Sequence, residues 1–359
     1  MLLDGTRWIL NRHFPSCEGR KLRPQGKVRI IQYCSLHTPR VVLNDEFVKA
    51  DCSFPWFPVH SIRMEILGKE WKPGDGVILA DGAWGTEFLK RGLTQGNPAE
   101  EWNLTKPKEV QTIAREYLLA GSRIILTNTF GGTRFQLERH GLGAKVREIN
   151  RIGASLTREV CEGSAITAGD IGPSGKLYIM GEVSEEELFE AFQEQAEALK
   201  EGGAQWIVVE TMTDIGEMEI AVKAAASTGL PVVASMTYER NPTGYRTFMG
   251  HSPEDAVAAA LKAGAFCIGA NCGSGVDTYV ELASVLRSLT DRPVWIKANA
   301  GLPELVDGKP RYRMDPETYA RYVPSLVEAG VDFIGGCCGT SPAFIRKMAE
   351  TIRDHLFFR

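Results

Sequence analysis

Trp206–Glu210 reads WIVVE and Pro231–Met236 reads PVVASM. Between them, Ile215–Ser227 carries apolar residues at three-to-four spacing, and Gly229 stands just before the second run. Short runs that are apolar throughout and rich in Val and Ile suit parallel strands buried on both faces. Two such strands joined by an amphipathic helix make one β–α–β unit, and the reading of that unit extends in both directions.

Upstream lie Val77–Asp81 (VILAD), Arg123–Thr127 (RIILT) and Ala165–Gly169 (AITAG). Downstream lie Phe266–Ala270 (FCIGA), Val294–Ala298 (VWIKA) and Phe333–Gly336 (FIGG). Helical periodicity fills the gaps at Glu109–Ala120, Ala144–Cys161, Ser184–Glu201, Pro253–Lys262, Asp277–Leu289, Pro316–Glu328 and Pro342–His355. Ser252-Pro253 and Asp315-Pro316 set a capping residue before a first-turn proline. Gly121, Gly202, Gly264 and Gly330 stand where helices should end. Eight alternating strand–helix units predict an α/β fold, a (β/α)8 TIM barrel. An open doubly wound sheet is the alternative, but no GxGxxG follows the first strand, which weakens a dinucleotide-binding reading.

The 359 residues carry 41 Lys+Arg against 45 Asp+Glu, a net charge of -4, and 43% are apolar. No run of 18 apolar residues spans a membrane, and no clean signal peptide precedes the barrel. A cytoplasmic chain is expected, and the slight acidity argues against a nucleic-acid partner. Eight Cys in such a chain suit metal ligands or core better than a disulfide frame.

Residues 1–63 differ from the rest. They hold ten Lys/Arg and five Asp/Glu, a net of +5 that leaves -9 for the remainder. Five prolines interrupt them, and no sustained period runs through them. Val28–Tyr33 and Val41–Leu43 are candidate short strands. We read 1–63 as an irregular extension, disordered or not native, with Met64 as a natural start, and 64–359 as the barrel.

Active sites of such barrels sit at the strand C-terminal ends. There the sequence sets Asp81–Thr86, Asn128–Gly132, Asp170–Pro173, Glu210-Thr211, Asn271–Gly273, Asn299–Pro303 and Gly335–Thr340. Cys272 after the sixth strand and Cys337-Cys338 after the eighth would face one another across the mouth. Three thiolates suit a Zn2+ with one open position; three buried, apolar-behaving cysteines are the alternative. Adjacent cysteines in an extended strand point to opposite faces, so the chain must turn sharply at Cys337-Cys338. Zinc would keep a substrate thiol deprotonated, whereas a free thiol titrates near pH 8.5.

The set DGAWGT (81–86), NTF (128–130), Glu210-Thr211, GANCG (269–273) and GGCCGT (335–340) resembles the homocysteine S-methyltransferase family. The resemblance covers about Val77 to His355. It implies one Zn2+ per chain on Cys272, Cys337 and Cys338, with homocysteine bound through sulfur, methylated and released as methionine. By position, Asp81, Gly82 and Ala83 resemble the group holding the amino-acid end of homocysteine. Glu210 resembles the carboxylate that pairs with its ammonium, and Thr129 and Asn271 resemble further substrate contacts. Asp81, Thr129 and Glu210 are thus the expected catalytic residues; Asp170 and Asn299 are expected to support them from behind.

Asn299–Pro303 (NAGLP) and the GGCCGTSP tail look most like the homocysteine module of cobalamin-dependent methionine synthase. Nothing after Arg359 supplies the other modules of such an enzyme. We therefore expect methylcobalamin to be supplied in trans by a separate corrinoid protein. S-methylmethionine, S-adenosylmethionine and betaine are alternative donors. Gly131 stands where betaine-using members place an aromatic. Demethylation of another small compound onto a corrinoid protein is a second reading, and a non-catalytic binding subunit is disfavoured. Cys267 and Cys161 read as packing, His140 and His251 as loop residues, and Trp84 as either a cover for the substrate or core.

Overall fold

The computed structural model describes residues 40–43, 46–49, 64–66, 68–306 and 309–357. The chain divides into two units, residues 1–58 and 59–359. In the first, Arg40–Leu43 and Glu46–Lys49 pair as an antiparallel hairpin, Arg40 opposite Lys49. The strand expected at Val41–Leu43 is present there. The strand expected at Val28–Tyr33, and the expected disorder of most of the extension, lie outside the described residues.

The second unit is built on eight parallel strands. They are β1 (Ile78–Leu79), β2 (Ile124–Leu126), β3 (Ile166–Ile171), β4 (Trp206–Met212), β5 (Val232–Met236), β6 (Cys267–Cys272), β7 (Val294–Ala298) and β8 (Phe333–Gly336). Each pairs with its neighbour in chain order, and β8 returns to β1. A parallel bridge between Ala80 and Ile124 closes the ring. The sequence's barrel is therefore present, and the open sheet is not.

Strand side chains alternate between two cores with period two. Ile124, Ile166, Ala168, Trp206, Val208, Val233, Cys267, Trp295 and Phe333 fill the barrel interior. Ile207, Val209, Val232, Ala234, Ile268, Val294, Ile296 and Ile334 pack outward under the helices. Trp71 joins the interior from a short antiparallel hairpin, Met64–Ile66 with Lys69–Trp71, and stacks 5.1 Å from Phe333 between ring centres. That aromatic layer closes the floor. Continuing the alternation upward puts Asp170, Glu210 and Lys297 on the inward face near the mouth, all buried.

The helices occupy the expected intervals: Pro107–Ala120, Val146–Cys161, Glu185–Glu201, Ile215–Ala226, Pro253–Ala263, Val276–Leu289 and Pro342–Phe357. Ser184 and Glu187 form a complete capping box. Two details differ. The helix expected over Pro316–Glu328 is two, Pro316–Ala320 and Val323–Glu328, because Pro324 lacks an N–H and its ring crowds the preceding turn. At the end of Glu185–Glu201, Gly203 rather than Gly202 takes the left-handed turn. Beyond expectation, Trp84–Lys90 is helical, and antiparallel hairpins follow β5 (Glu239–Asn241 with Gly244–Arg246) and β7 (Glu304–Val306 with Lys309–Arg311). Among the described residues no helix is long and apolar enough to cross a membrane.

Candidate active site and metal centre

The ends of β6 and β8 bring Cys272, Cys337 and Cys338 together, their Sγ atoms all within 4.8 Å of one another. Two backbone devices achieve this. Cys272 itself sits at φ +65°, turning its thiol off the strand line at the mouth. After β8 the chain folds back at once: Thr340 N donates to the Cys337 carbonyl at 3.1 Å, and Gly339 takes φ +84°. A Cβ on Gly339 would run into the Tyr312 ring. The sharp turn required for adjacent cysteines to share one ligand is therefore present.

The donor set suits zinc. Bonds of about 2.3 Å in a tetrahedron set sulfurs about 3.8 Å apart, within the 4.8 Å that bounds the three Sγ atoms. In the thiol cluster, hydrogen bonds from Cys337 and Cys338 hold Cys272 far below the usual thiol range. The same contacts with Cys272 push the other two up, Cys338 to about 11. Among the described residues no other group of His, Cys, Asp and Glu has metal-ligand spacing.

The cysteines form part of the wall of a cavity of about 280 Å3. Gly82–Thr86, Phe88, Glu100, Leu126–Phe130, Asp170, Glu210-Thr211 and Lys297 line the rest. Glu210, on the inward face of β4, stands at a β-bulge: Val209 pairs with Ala234 but Met212 with Met236, so β4 holds one extra residue. Thr211 absorbs the bulge at φ +62°, and Asn271 fastens it, accepting from Thr211 N at 2.9 Å. Burial pushes the Glu210 carboxyl up to about 7, against the pull of Lys297. Burial first and Glu210 second push Asp170 well above the usual carboxyl range. Glu210 Oε2 and Asp170 Oδ1 are buried with no partner in the chain.

Several expected contacts are already used up within the protein. Asp81 is fully buried: Oδ1 meets Lys297 Nζ at 2.7 Å, and Oδ2 accepts from Trp84 Nε1 at 2.7 Å and Leu126 N at 2.8 Å. Asp81 lies just off the cavity wall, its carboxylate held in a buried ion pair with Lys297. Thr129 donates to the Asp170 carbonyl at 2.8 Å and shares a 2.6 Å contact with Thr127 Oγ1, tying β2 to β3. Asn271 accepts from Ser235 Oγ as well as Thr211 N, and gives Nδ2 to Thr211 Oγ1. Gly82 and Ala83 do line the cavity.

Sequence reasoning missed Lys297 and Glu100. Lys297 had a visible signal, a lone charge inside an apolar strand, VWIKA. Burial alone would lower its pKa, but Asp81 and Glu210 outweigh that and hold it charged. Glu100 accepts from Gly131 N at 2.6 Å, and nothing in its acidic surface-like context marks it. Trp84 both lines the cavity and packs on Phe88 and Tyr117. Cys267 and Cys161 are buried core as read, and His251 is off the cavity wall.

Comparison with known proteins agrees with this geometry. A family model described as homocysteine S-methyltransferase matches residues 78–352. The chain belongs to the homocysteine S-methyltransferase family. The span matched is the barrel with both cysteine elements, and it makes the chain a methyltransferase-family member. The methionine synthase of Mycobacterium tuberculosis is 32% identical over 302 residues, which are 77% of this chain and 25% of that protein. The Mycobacterium leprae methionine synthase is 31% identical over 300 residues, 77% and 24%. The chain thus spans about a quarter of the length of these relatives. Two crystal structures of the Escherichia coli homocysteine methyltransferase MmuM share the family fold. The oxidized form gives a TM-score of 0.65 at 23% identity, covering 76% of this chain and 95% of that one. The metallated form gives 0.65 at 22%, covering 77% and 96%.

Proposed function

We propose that this member of the homocysteine S-methyltransferase family methylates the thiol of homocysteine to give methionine. In this reading Zn2+ sits on Cys272, Cys337 and Cys338, and a separate methyl-corrinoid protein delivers the methyl group. One observation carries the reading: three convergent thiols share a small cavity with two buried, unpartnered carboxylate oxygens. A polar atom buried without a partner costs free energy, and a substrate ammonium would satisfy both Glu210 and Asp170. The opposite chemical end of a small amino-acid thiol then meets the cysteines.

Zinc, when bound, supplies a charge that keeps the substrate sulfur as thiolate near neutral pH. The chain's own residues do the rest. Glu210 and Asp170 bind and orient the ammonium. Gly82–Thr86 bring backbone to the wall, where N–H groups of the first turn of Trp84–Lys90 have no helical partner and suit the carboxylate. Lys297, held by Asp81, offsets the negative charge of the acids and thiolates. Trp84 and Phe88 keep water from the reacting sulfur.

Gly131 supports a donor other than betaine, because the aromatic that betaine-using relatives place there is absent. Exposed apolar side chains on segments that follow strand ends, among them Met180, Phe248 and Leu302, support a macromolecular donor. The test pairs metal analysis with an assay. Native protein should retain one Zn2+ through dialysis, and Cys337→Ala should lose it together with activity. Methionine should form from homocysteine with methylcobalamin or a methyl-corrinoid protein. Turnover only with S-methylmethionine would overturn the donor. Zinc-loaded protein that makes no methionine from any of these donors or betaine would overturn the acceptor.

A further inference from the structure

The cavity at the thiols is not the largest in the barrel. One of about 580 Å3 lies at the other end of the strands, beside the floor. It opens between the C-terminal end of Pro107–Ala120 and the last helix, Pro342–Phe357, over the first residues of β1. The gap has a local cause. The two helices meet where a Cβ on Gly121 would stand 2.9 Å from Ala349 Cβ. The first helix stops there in a left-handed turn, while the last runs on for about two more turns. Val77, Leu79, Leu118 and Ile352 remain as an apolar wall, and Leu119, 75% exposed, stands at its edge.

The rim is basic. Arg123, Arg346 and Arg353 line it. Arg346 and Arg353 lie about two turns apart in the last helix, so they share one face. Among the described residues neither has a hydrogen bond or an ion pair, and Arg123 reaches only the Ser122 carbonyl. Glu350, the one acid in the lining, meets Lys347 at 3.3 Å. Residues 64–359 carry a net of -9, so three guanidiniums without an acidic partner run against the charge of the barrel. A cation in the last turns of a helix offsets the helix dipole, which accounts for Arg353 but not for Arg346, in the second turn.

A guanidinium presents a planar fork of donors that matches a carboxylate or a phosphate, and a cavity of this volume has the size of a small-molecule site. We propose that this cavity binds a small amphipathic anion, its apolar body against Leu79, Leu118 and Ile352 and its carboxylate or phosphate on Arg346 and Arg353. The site is separate from the thiol cavity and does not depend on the methyl-transfer reading.

Calorimetric titration of the full chain with octanoate, octyl phosphate and octanol tests it. At least one of the two anions should bind at one site per chain, and the tighter of them identifies the head group. Octanol should bind at least about tenfold more weakly, because a hydrogen bond to a charged group adds at least that factor. Arg346→Gln combined with Arg353→Gln should weaken the anion at least about tenfold and leave octanol unchanged. Leu119→Glu should weaken it too, by setting a like charge at the edge. All three positions are exposed, so the variants should keep the native far-UV spectrum. A native chain with no saturable binding of either anion would overturn the site, as would arginine variants that bind the anion as tightly as native protein.

Discussion

Glu210 is buried beside Lys297, and its carboxyl titrates at about 7 because burial outweighs the pull of the lysine. In the unfolded chain a Glu titrates near 4.3. Below that pH it is protonated in both states and contributes nothing to stability. Between about 4.3 and 7 the unfolded state ionises while the folded state keeps its proton, so unfolding releases a proton and stability falls as pH rises. Above 7 the full penalty is present. Glu210→Gln should therefore leave stability nearly unchanged at pH 4 and raise it by up to roughly 4 kcal/mol at pH 8, read from denaturant midpoints. The same substitution should raise KM for homocysteine at least about tenfold by removing the charge that meets the ammonium, and should abolish the improvement in native KM as pH rises through neutrality. Equal stability gains at both pH values would contradict the buried-acid account. Residue by residue, the motifs were legible as neighbourhoods. The cysteines converge as the sequence implies, because the chain turns sharply at Cys272 and at Gly339. Thr129 is on the cavity wall and Asp81 and Asn271 are just off it, all three with polar atoms bonded within the chain. A motif cannot display that engagement, because Lys297, Ser235 and the Asp170 carbonyl lie on other strands.

At the scale of elements, strand alternation does most of the positioning. Trp295 and Lys297 share the inward face of β7, as Val208 and Glu210 share that of β4. The sequence's strands lie within a residue or two of those found, since parallel strands buried on both faces are short apolar runs with clear ends. The bulge in β4 was not legible: ETM continues the strand in composition, and only the pairing of Val209 and Met212 with β5 exposes the extra residue. Nor was the floor hairpin, whose three-residue strands are too short for a period. Trp71 nevertheless seals the interior, 7% exposed and stacked on Phe333. Trp71→Ala should cost about 3–5 kcal/mol, seen as a lower denaturant midpoint at unchanged slope. Zinc content and kcat of the folded fraction should stay native, because the floor and the mouth lie at opposite ends of the strands. A midpoint within 1 kcal/mol of native, on the scale of ordinary surface changes, would mean that the hairpin merely covers a barrel already closed.

The whole molecule separates a sealed floor from an apolar-rimmed mouth. Of the eight large apolar side chains exposed among the described residues, Leu119 ends a helix on the floor side. The others, including Phe130, Leu177, Ile179, Met180, Phe248 and Leu302, lie on segments that follow strand C-terminal ends. Phe248 is 86% exposed and Met180 73%, where burial of each against a partner would contribute about 1.5–3 kcal/mol. Exposed apolar side chains grouped around a site mark a surface that meets another body, and a small methyl donor that fits within the cavity would not need them. If a corrinoid protein docks there, Phe248→Ser combined with Met180→Ser should raise the KM for that protein at least about tenfold, since a lost 1.4 kcal/mol is already that factor. The rate with free methylcobalamin should stay within twofold of native, because neither side chain lines the cavity. Equal losses with both donors would mean that the rim supports the loops rather than a partner, and the methyl group would then have to arrive on a small molecule.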